Sequence, residues 1–278
     1  MKKVFIVTMT MLLCGYLIAC VRMPEQKKEA DISVETPKID QSKIGKPIVL
    51  EKDIMKDFNS FWSYYTNDIK FFEDFVPFDT AGLAMEKGDF LKVLNSGAYY
   101  PLMIYSKDSL INYKLAKIPA KAPEYAGAYI SQDSRAALVH YKMEGKSIPA
   151  FSFTDINGKL YTSANTKGKI VLFKCWFINC PVCIQEMPQL NKMVQKYKDR
   201  DDILFISLAM DSKKPLQTFL KRTQFDYTTV PDQDKYMSDQ LKVSSYPHHF
   251  LINKEGLMVK AVGDATAIEM LLERELVK

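Results

Sequence analysis

The sequence predicts an α/β protein: a central mixed sheet flanked by helices, preceded by a small α+β region. Three observations predict it. Continuous apolar runs alternate with helical patterns between residues 168 and 224. The chain then closes with two strand-like runs and a helix, so parallel and antiparallel neighbours share one sheet. A separate set of helix and strand signals fills residues 48–146, before that alternation begins.

In chain order, the first stretch reads as a targeting segment. "MKK" is a basic start, and Val4 to Ala19 is an apolar run of sixteen residues. That is short of the roughly 20 residues a bilayer span needs and fits a signal core. It ends in "LIAC", Leu17 to Cys20, which resembles the bacterial lipoprotein signal. The resemblance implies a signal peptide over 1–19, cleavage before Cys20, and lipid on Cys20. An uncleaved anchor, or an ordinary signal with a chance cysteine, is the alternative; in each case the rest of the chain is exported. Val21 stands where an aspartate would mark inner-membrane retention, which favours the outer membrane. Residues 20–47 are polar and aperiodic and read as a tether.

Composition narrows the function. Hydrophobic residues make up 47% and charged residues 26% of the 278, enough for a buried core. The formal charge of +5 includes Lys2 and Lys3 of the leader, so the mature chain is too weakly basic to argue for nucleic acid. Of five cysteines, Cys14 lies in the leader and Cys20 takes lipid. Cys175, Cys180 and Cys183 remain, and an odd number allows at most one internal bond.

Within residues 48–146, Ile54, Phe58, Phe61, Trp62 and Tyr65 fall at helical spacing. A helix normally buries such a stripe, so it is expected as core, with a binding groove as the alternative. Two strands are expected in Tyr99–Ile118 around a turn at Ser106–Ser109, then a helix starting at Pro123 with Gly145 beyond its end. Within residues 147–278, "FSFTDINGKLYT" reads as a hairpin about Asn157-Gly158. "GKIVLFKCWF" suits a buried central strand. "CPVCIQEMPQLNKMVQKYK" follows as a helix kinked at Pro188. "DILFISLAM" is a second buried strand, and "SKKPLQTFLKRT" a second helix. "YPHHFLINKEGLMVKAVG" makes two strands joined at Lys254-Glu255-Gly256. The closing helix is capped by Asp264 or Thr266.

Cys180 and Cys183 stand at the strand-to-helix junction, and an X-Pro, Tyr246-Pro247, precedes a late strand. With the opening hairpin and the "EMPQL" that follows the second cysteine, this order resembles the thioredoxin-like TlpA/ResA thiol-disulfide oxidoreductases over residues 147–278. A lone C-x-x-C is weak evidence; four elements in register are strong. The resemblance implies an exported, membrane-tethered enzyme with a redox-active Cys180–Cys183 disulfide, reducing partner proteins. It implies no cofactor and no metal. Its partners would be disulfide or dithiol client proteins and an upstream thiol electron donor.

The residues suit that chemistry. Exchange needs a thiolate and a second thiol that resolves the mixed disulfide. Cys180, at the exposed end of a helix, is the expected nucleophile, and Cys183, one turn inside, the resolving thiol. Pro181 sits where a missing N–H costs nothing, and with Val182 helps tune the potential. Glu186 lies three residues past Cys183, on the same side of the helix. In the resembling family this position holds a glutamate that relays protons; if buried, its pKa should rise. The resemblance makes Tyr246–Pro247 cis, against a prior of about 5–6%. It also assigns client contact to Tyr246, Pro247, Pro181 and Trp176. Three positions depart from the family: Asn179 replaces a tryptophan, Lys174 replaces a buried aspartate, and Cys175 is an extra thiol expected in the core. Lys174 could pair with Glu186, lower the thiol pKa values, or reach solvent.

Two rivals share the fold. A copper-delivery protein would recruit His248 or His249 to the cysteines, but adjacent strand residues face opposite ways, so at most one arrives. A thiol peroxidase would show Pro-x-x-x-Thr-x-x-Cys, where this chain has Phe173 and Phe177.

Overall fold

The computed structural model describes residues 41–107 and 110–278, which belong to one compact unit. The leader, Cys14, Cys20 and most of the tether lie outside the described residues, as do the last two residues of the Ser106–Ser109 turn. Residues 41–47, expected to end the tether, are ordered instead. Gly45 N–H donates to Tyr105 O at 2.8 Å, and Ile48 N–H to Met103 O at 3.0 Å, so this segment lines a sheet edge.

The expected first helix is two: α1 (Glu51–Ile54) and α2 (Phe58–Asp68). Asp57 breaks them apart because its carboxylate accepts Ser60 N–H at 2.8 Å and caps α2. The aromatic stripe is only partly buried. Ile54, Phe61 and Tyr65 are core, whereas Phe58 and Trp62 stay exposed. Next come β1 (Phe75–Phe78), α3 (Lys87–Leu94), β2 (Tyr99–Ile104), β3 (Ile111–Lys117) and α4 (Ala126–Tyr141). The sheet order is β1-β3-β2. Both edge strands contain proline, Pro77 and Pro101, which only an edge tolerates. Proline-broken β1 and short α3 were not anticipated from sequence.

The second region has a two-stranded hairpin, β4 (Ser152–Thr154) with β5 (Leu160–Thr162). Asp155 ties its turn by accepting the N–H groups of Asn157 and Lys159, and Gly158 takes φ +89°. The main elements follow: β6 (Ile170–Trp176), α5 (Pro181–Gln185), α6 (Met187–Lys196), β7 (Ile203–Ala209), α7 (Lys213–Leu220), β8 (Thr228–Val230), β9 (His248–Ile252), β10 (Met258–Val262) and α8 (Ala265–Leu276). The five-stranded sheet runs β10-β9-β6-β7-β8, with β6–β7 and β7–β8 parallel and β6–β9 and β9–β10 antiparallel. The fold is thioredoxin-like, with additional N-terminal structure.

Every residue of β6 is buried, as a central strand covered on both faces requires. Each such apolar side chain contributes about 1.5–3 kcal/mol. Alternation sends Phe173 and Cys175 to one apolar cluster and Leu172 and Trp176 to others. Asp264 caps α8 by accepting Ala267 N–H at 2.9 Å. The two regions are stitched through α4: His140 Nε2–H donates to Leu241 O at 3.0 Å, and its ring lies 4.6 Å from that of His248 on β9.

Candidate active site

The site is built at the C-terminal end of β6. The chain leaves the sheet after Trp176, turns through Phe177–Asn179, and enters α5 with Cys180 as its N-cap and Pro181 at the first helical position. The turn is held from below. Ile178 N–H donates to the Asp211 carboxylate at 2.8 Å, and Met210 N–H to Trp176 O at 3.1 Å. Asp211 has no sequence signal that would have marked it, because it acts from the end of another strand.

Cys180 and Cys183 are joined by a disulfide with a Cα–Cα distance of 5.2 Å. Cys183 is fully buried, and Cys180 is 5% exposed between exposed Asn179, Pro181 and Val182. Cys183 N–H points at the Cys180 sulfur at 3.2 Å. On reduction that donor, at the N-terminus of the helix, stabilises negative charge on Cys180. The helix is interrupted at Glu186 and restarts as α6 with Pro188 in its first turn, where proline fits.

The Tyr246–Pro247 peptide is cis and Pro247 is buried. Half-buried Tyr246 packs edge-on to Phe177 at 5.5 Å and touches the apolar cluster that contains both cysteines. Trp176, expected among the client-contacting residues, is instead fully buried in that cluster, with Phe219 and Phe225 against its ring. It supports the disulfide from beneath and presents nothing to the surface. Cys175 is buried, unbonded and far too desolvated to ionise: burial pushes its thiol well up.

Three charged or polar groups converge behind the helix. Lys174, fully buried, forms an ion pair with Glu186, and His249 Nε2–H donates to the same Glu186 oxygen at 3.0 Å. Lys174 and His249 are register partners on β6 and β9, which is why both reach one carboxylate. Burial pushes the Glu186 carboxyl up, but the His249 hydrogen bond and the Lys174 ammonium outweigh it, so its pKa is lowered. The expectation of a raised value is therefore corrected: desolvation is present but loses to its partners. Among the described residues, His249 Nδ1 has no hydrogen-bond partner. His248 faces the other side and packs on His140 and Phe250. No group of three or more potential metal ligands occurs among the described residues.

All three histidines of the chain, His140, His248 and His249, are held below the ordinary value by burial. The unfolded chain therefore takes up protons near pH 6.5 that the folded chain refuses, so the unfolded state binds more protons as pH falls. Stability is lost below about pH 6.5, by up to about 1.4 kcal/mol per pH unit for each histidine. We expect urea midpoints to fall between pH 7 and 5, and His248→Phe to remove about one proton from that slope. An unchanged midpoint across this interval contradicts the assignment.

Known proteins place the chain. A model of the AhpC/TSA family matches residues 145–261. The chain is 30% identical over 123 residues to the thiol-disulfide oxidoreductase ResA of Bacillus cereus, covering 44% of this chain and 71% of that protein. It is 32% identical over 120 residues to ResA of Bacillus subtilis, covering 43% of this chain and 66% of that protein. Among solved structures, the thioredoxin domain of a thiol-disulfide oxidoreductase from Bacteroides vulgatus is 23% identical, with a TM-score of 0.43, over 47% of this chain and 96% of that one. With a disulfide at the head of a helix on a thioredoxin-like sheet, and this kinship, the chain belongs to the ResA-related thiol-disulfide oxidoreductases of the thioredoxin-like superfamily.

Proposed function

We propose that the protein reduces disulfides of client proteins in the bacterial cell envelope, cycling Cys180–Cys183 between dithiol and disulfide. The observation that carries this is the placement of the pair: Cys180 heads the helix, 5% exposed between exposed neighbours, and Cys183 is fully buried one turn behind it. Cys180 thiolate attacks one client sulfur; the client's other sulfur leaves as thiolate and takes a proton. Cys183 then loses its proton and attacks Cys180, releasing the second client thiol and closing the Cys180–Cys183 bond. Two electrons and two protons pass to the client, and an upstream dithiol restores the pair.

Glu186, three residues past Cys183 and held by Lys174 and His249, is the group that tunes the thiols and relays the Cys183 proton in this scheme. Tyr246 offers its backbone to the client strand beside Pro247, by β-strand addition. Pro181 shapes the exposed rim. Domain limits of 48–146 and 147–278 suit the separate apolar clusters of the two regions. The "LIAC" motif supports anchoring of the envelope-facing protein by lipid on Cys20. Reduced protein mixed with a disulfide-bonded substrate should yield two new client thiols for each Cys180–Cys183 bond formed. A bond that stays closed in redox buffers down to about −300 mV would mark it as structural.

The AhpC/TSA match makes peroxide the second oxidant to test. Phe173 and Phe177 occupy the positions where a peroxidatic site carries proline and threonine, and Phe173 is fully buried. Peroxide consumption with a thiol donor should therefore be negligible.

A further inference from the structure

The accessory region leaves three large aromatic side chains in water, side by side. Phe58, Trp62 and Tyr129 are 42%, 41% and 41% exposed. Phe58 stacks on Trp62 at 5.8 Å, and Trp62 meets Tyr129 edge-on at 5.3 Å. α2 buries Phe61, Tyr64 and Tyr65, and the ledge carries the edge of that apolar face out into solvent. Trp62 and Tyr129 also wall a groove of about 450 Å³, completed by Tyr65, Phe72, Ser244 and Ser245.

The last two residues connect the groove to the exchange site. Ser244-Ser245 run directly into Tyr246–Pro247, and Tyr246 touches the cluster holding Cys180 and Cys183. A polypeptide strand advances about 3.3 Å per residue. One lying against Tyr246 therefore enters the groove within about two to four residues. The lining combines four aromatic rings and Ile69 with polar groups that include Lys70, Asp133 and Asp264; the rings favour a planar or large aliphatic side chain.

We propose that this groove is a second contact for the client polypeptide, seating an aromatic or large aliphatic side chain two to four residues from the client's reacting cysteine. The proposal rests on the reading of the protein as a client-disulfide exchange enzyme. It gives the accessory region a role in choosing substrates, while the cysteines perform the chemistry.

The test uses the reduced full chain and short peptides whose single cysteine is disulfide-bonded to 5-thio-2-nitrobenzoate, which absorbs on release. One series carries phenylalanine two, three or four residues to either side of the cysteine; its counterpart carries glycine there. Single-turnover rate constants give a phenylalanine-to-glycine ratio for each position. We expect a ratio of about ten at the best position, collapsing towards one in the Trp62→Ala/Tyr129→Ala double variant. The ratio is taken within one protein sample, so partial unfolding does not shift it. A ratio near one at every position in the wild type, or a ratio that survives the double substitution, overturns the groove alone. If the wild type releases chromophore from neither series, the exchange reading falls and the groove with it.

Discussion

Cys183→Ser converts the protein into a covalent trap: the client stays bonded to Cys180 and turnover is lost, whereas Cys180→Ser forms no adduct. The expectation follows from where the two sulfurs lie. Cys180 heads the helix between exposed neighbours, so an incoming disulfide meets it first. Cys183 is fully buried and can only attack a sulfur already delivered to Cys180. Serine at 183 leaves the first exchange intact and removes the second, so electrons stop at the mixed disulfide. An ordinary cysteine, with pKa near 8.5, is only about 3% thiolate at pH 7. The Cys183 N–H aimed at Cys180 and the open first turn of α5 should bring the Cys180 thiol below that value. Non-reducing mass spectrometry after mixing each variant with a disulfide-bonded protein reads the adduct, and alkylation rate against pH reads the thiolate. Equal adducts on both variants would reverse the roles. A Cys180 titration at the free-cysteine value would remove the reason for its priority.

Much of this was legible in the sequence because it is local. The all-apolar β6, the C-x-x-C at its end, the Asn157-Gly158 turn and the capping Asp264 each declare themselves within a few residues. What was illegible depends on elements meeting. The pairing of Lys174 with Glu186, 12 positions apart, was one of three readings of that lysine, and the structure selects it. Glu186 and His249 are 63 apart, and spacing could not show that β9 would add a hydrogen bond to the same carboxylate and help lower its pKa. Trp176 reads as a rim residue by position, but strand alternation turns it into the core. Short or proline-containing strands such as β8 and β1 carry too few residues for a period to emerge. The aromatic stripe misled for a related reason: within α2, Phe61 and Tyr65 meet the core while Phe58 and Trp62, at the margin of the same face, find nothing to cover them among the described residues.

Lys174→Met should be the most destabilising single change outside the cysteines, costing about 3–5 kcal/mol at pH 7. It strands the Glu186 carboxylate in a buried site with only His249 beside it. With Lys174 gone, only the His249 hydrogen bond is left to oppose desolvation, and the Glu186 pKa should rise from its wild-type folded value. In the wild type, the Glu186 contribution is present above its ordinary value near 4.5 and is lost as pH falls through the lower folded value. In Lys174→Met, the Glu186 pKa lies above its wild-type folded value, so the deficit relative to wild type should shrink between pH 7 and pH 5. Comparing each variant with wild type at the same pH subtracts the proton uptake of the histidines. Lys174→Met/Glu186→Gln removes both charges and should recover more than half of the loss, because an uncharged amide is cheaper to bury than an unpaired carboxylate. Urea unfolding of the two single variants and the double variant at both pH values decides the matter. Additive losses, or a deficit that grows towards pH 5, would show that Lys174 serves β6 through packing and leaves the ionisation of Glu186 to other groups.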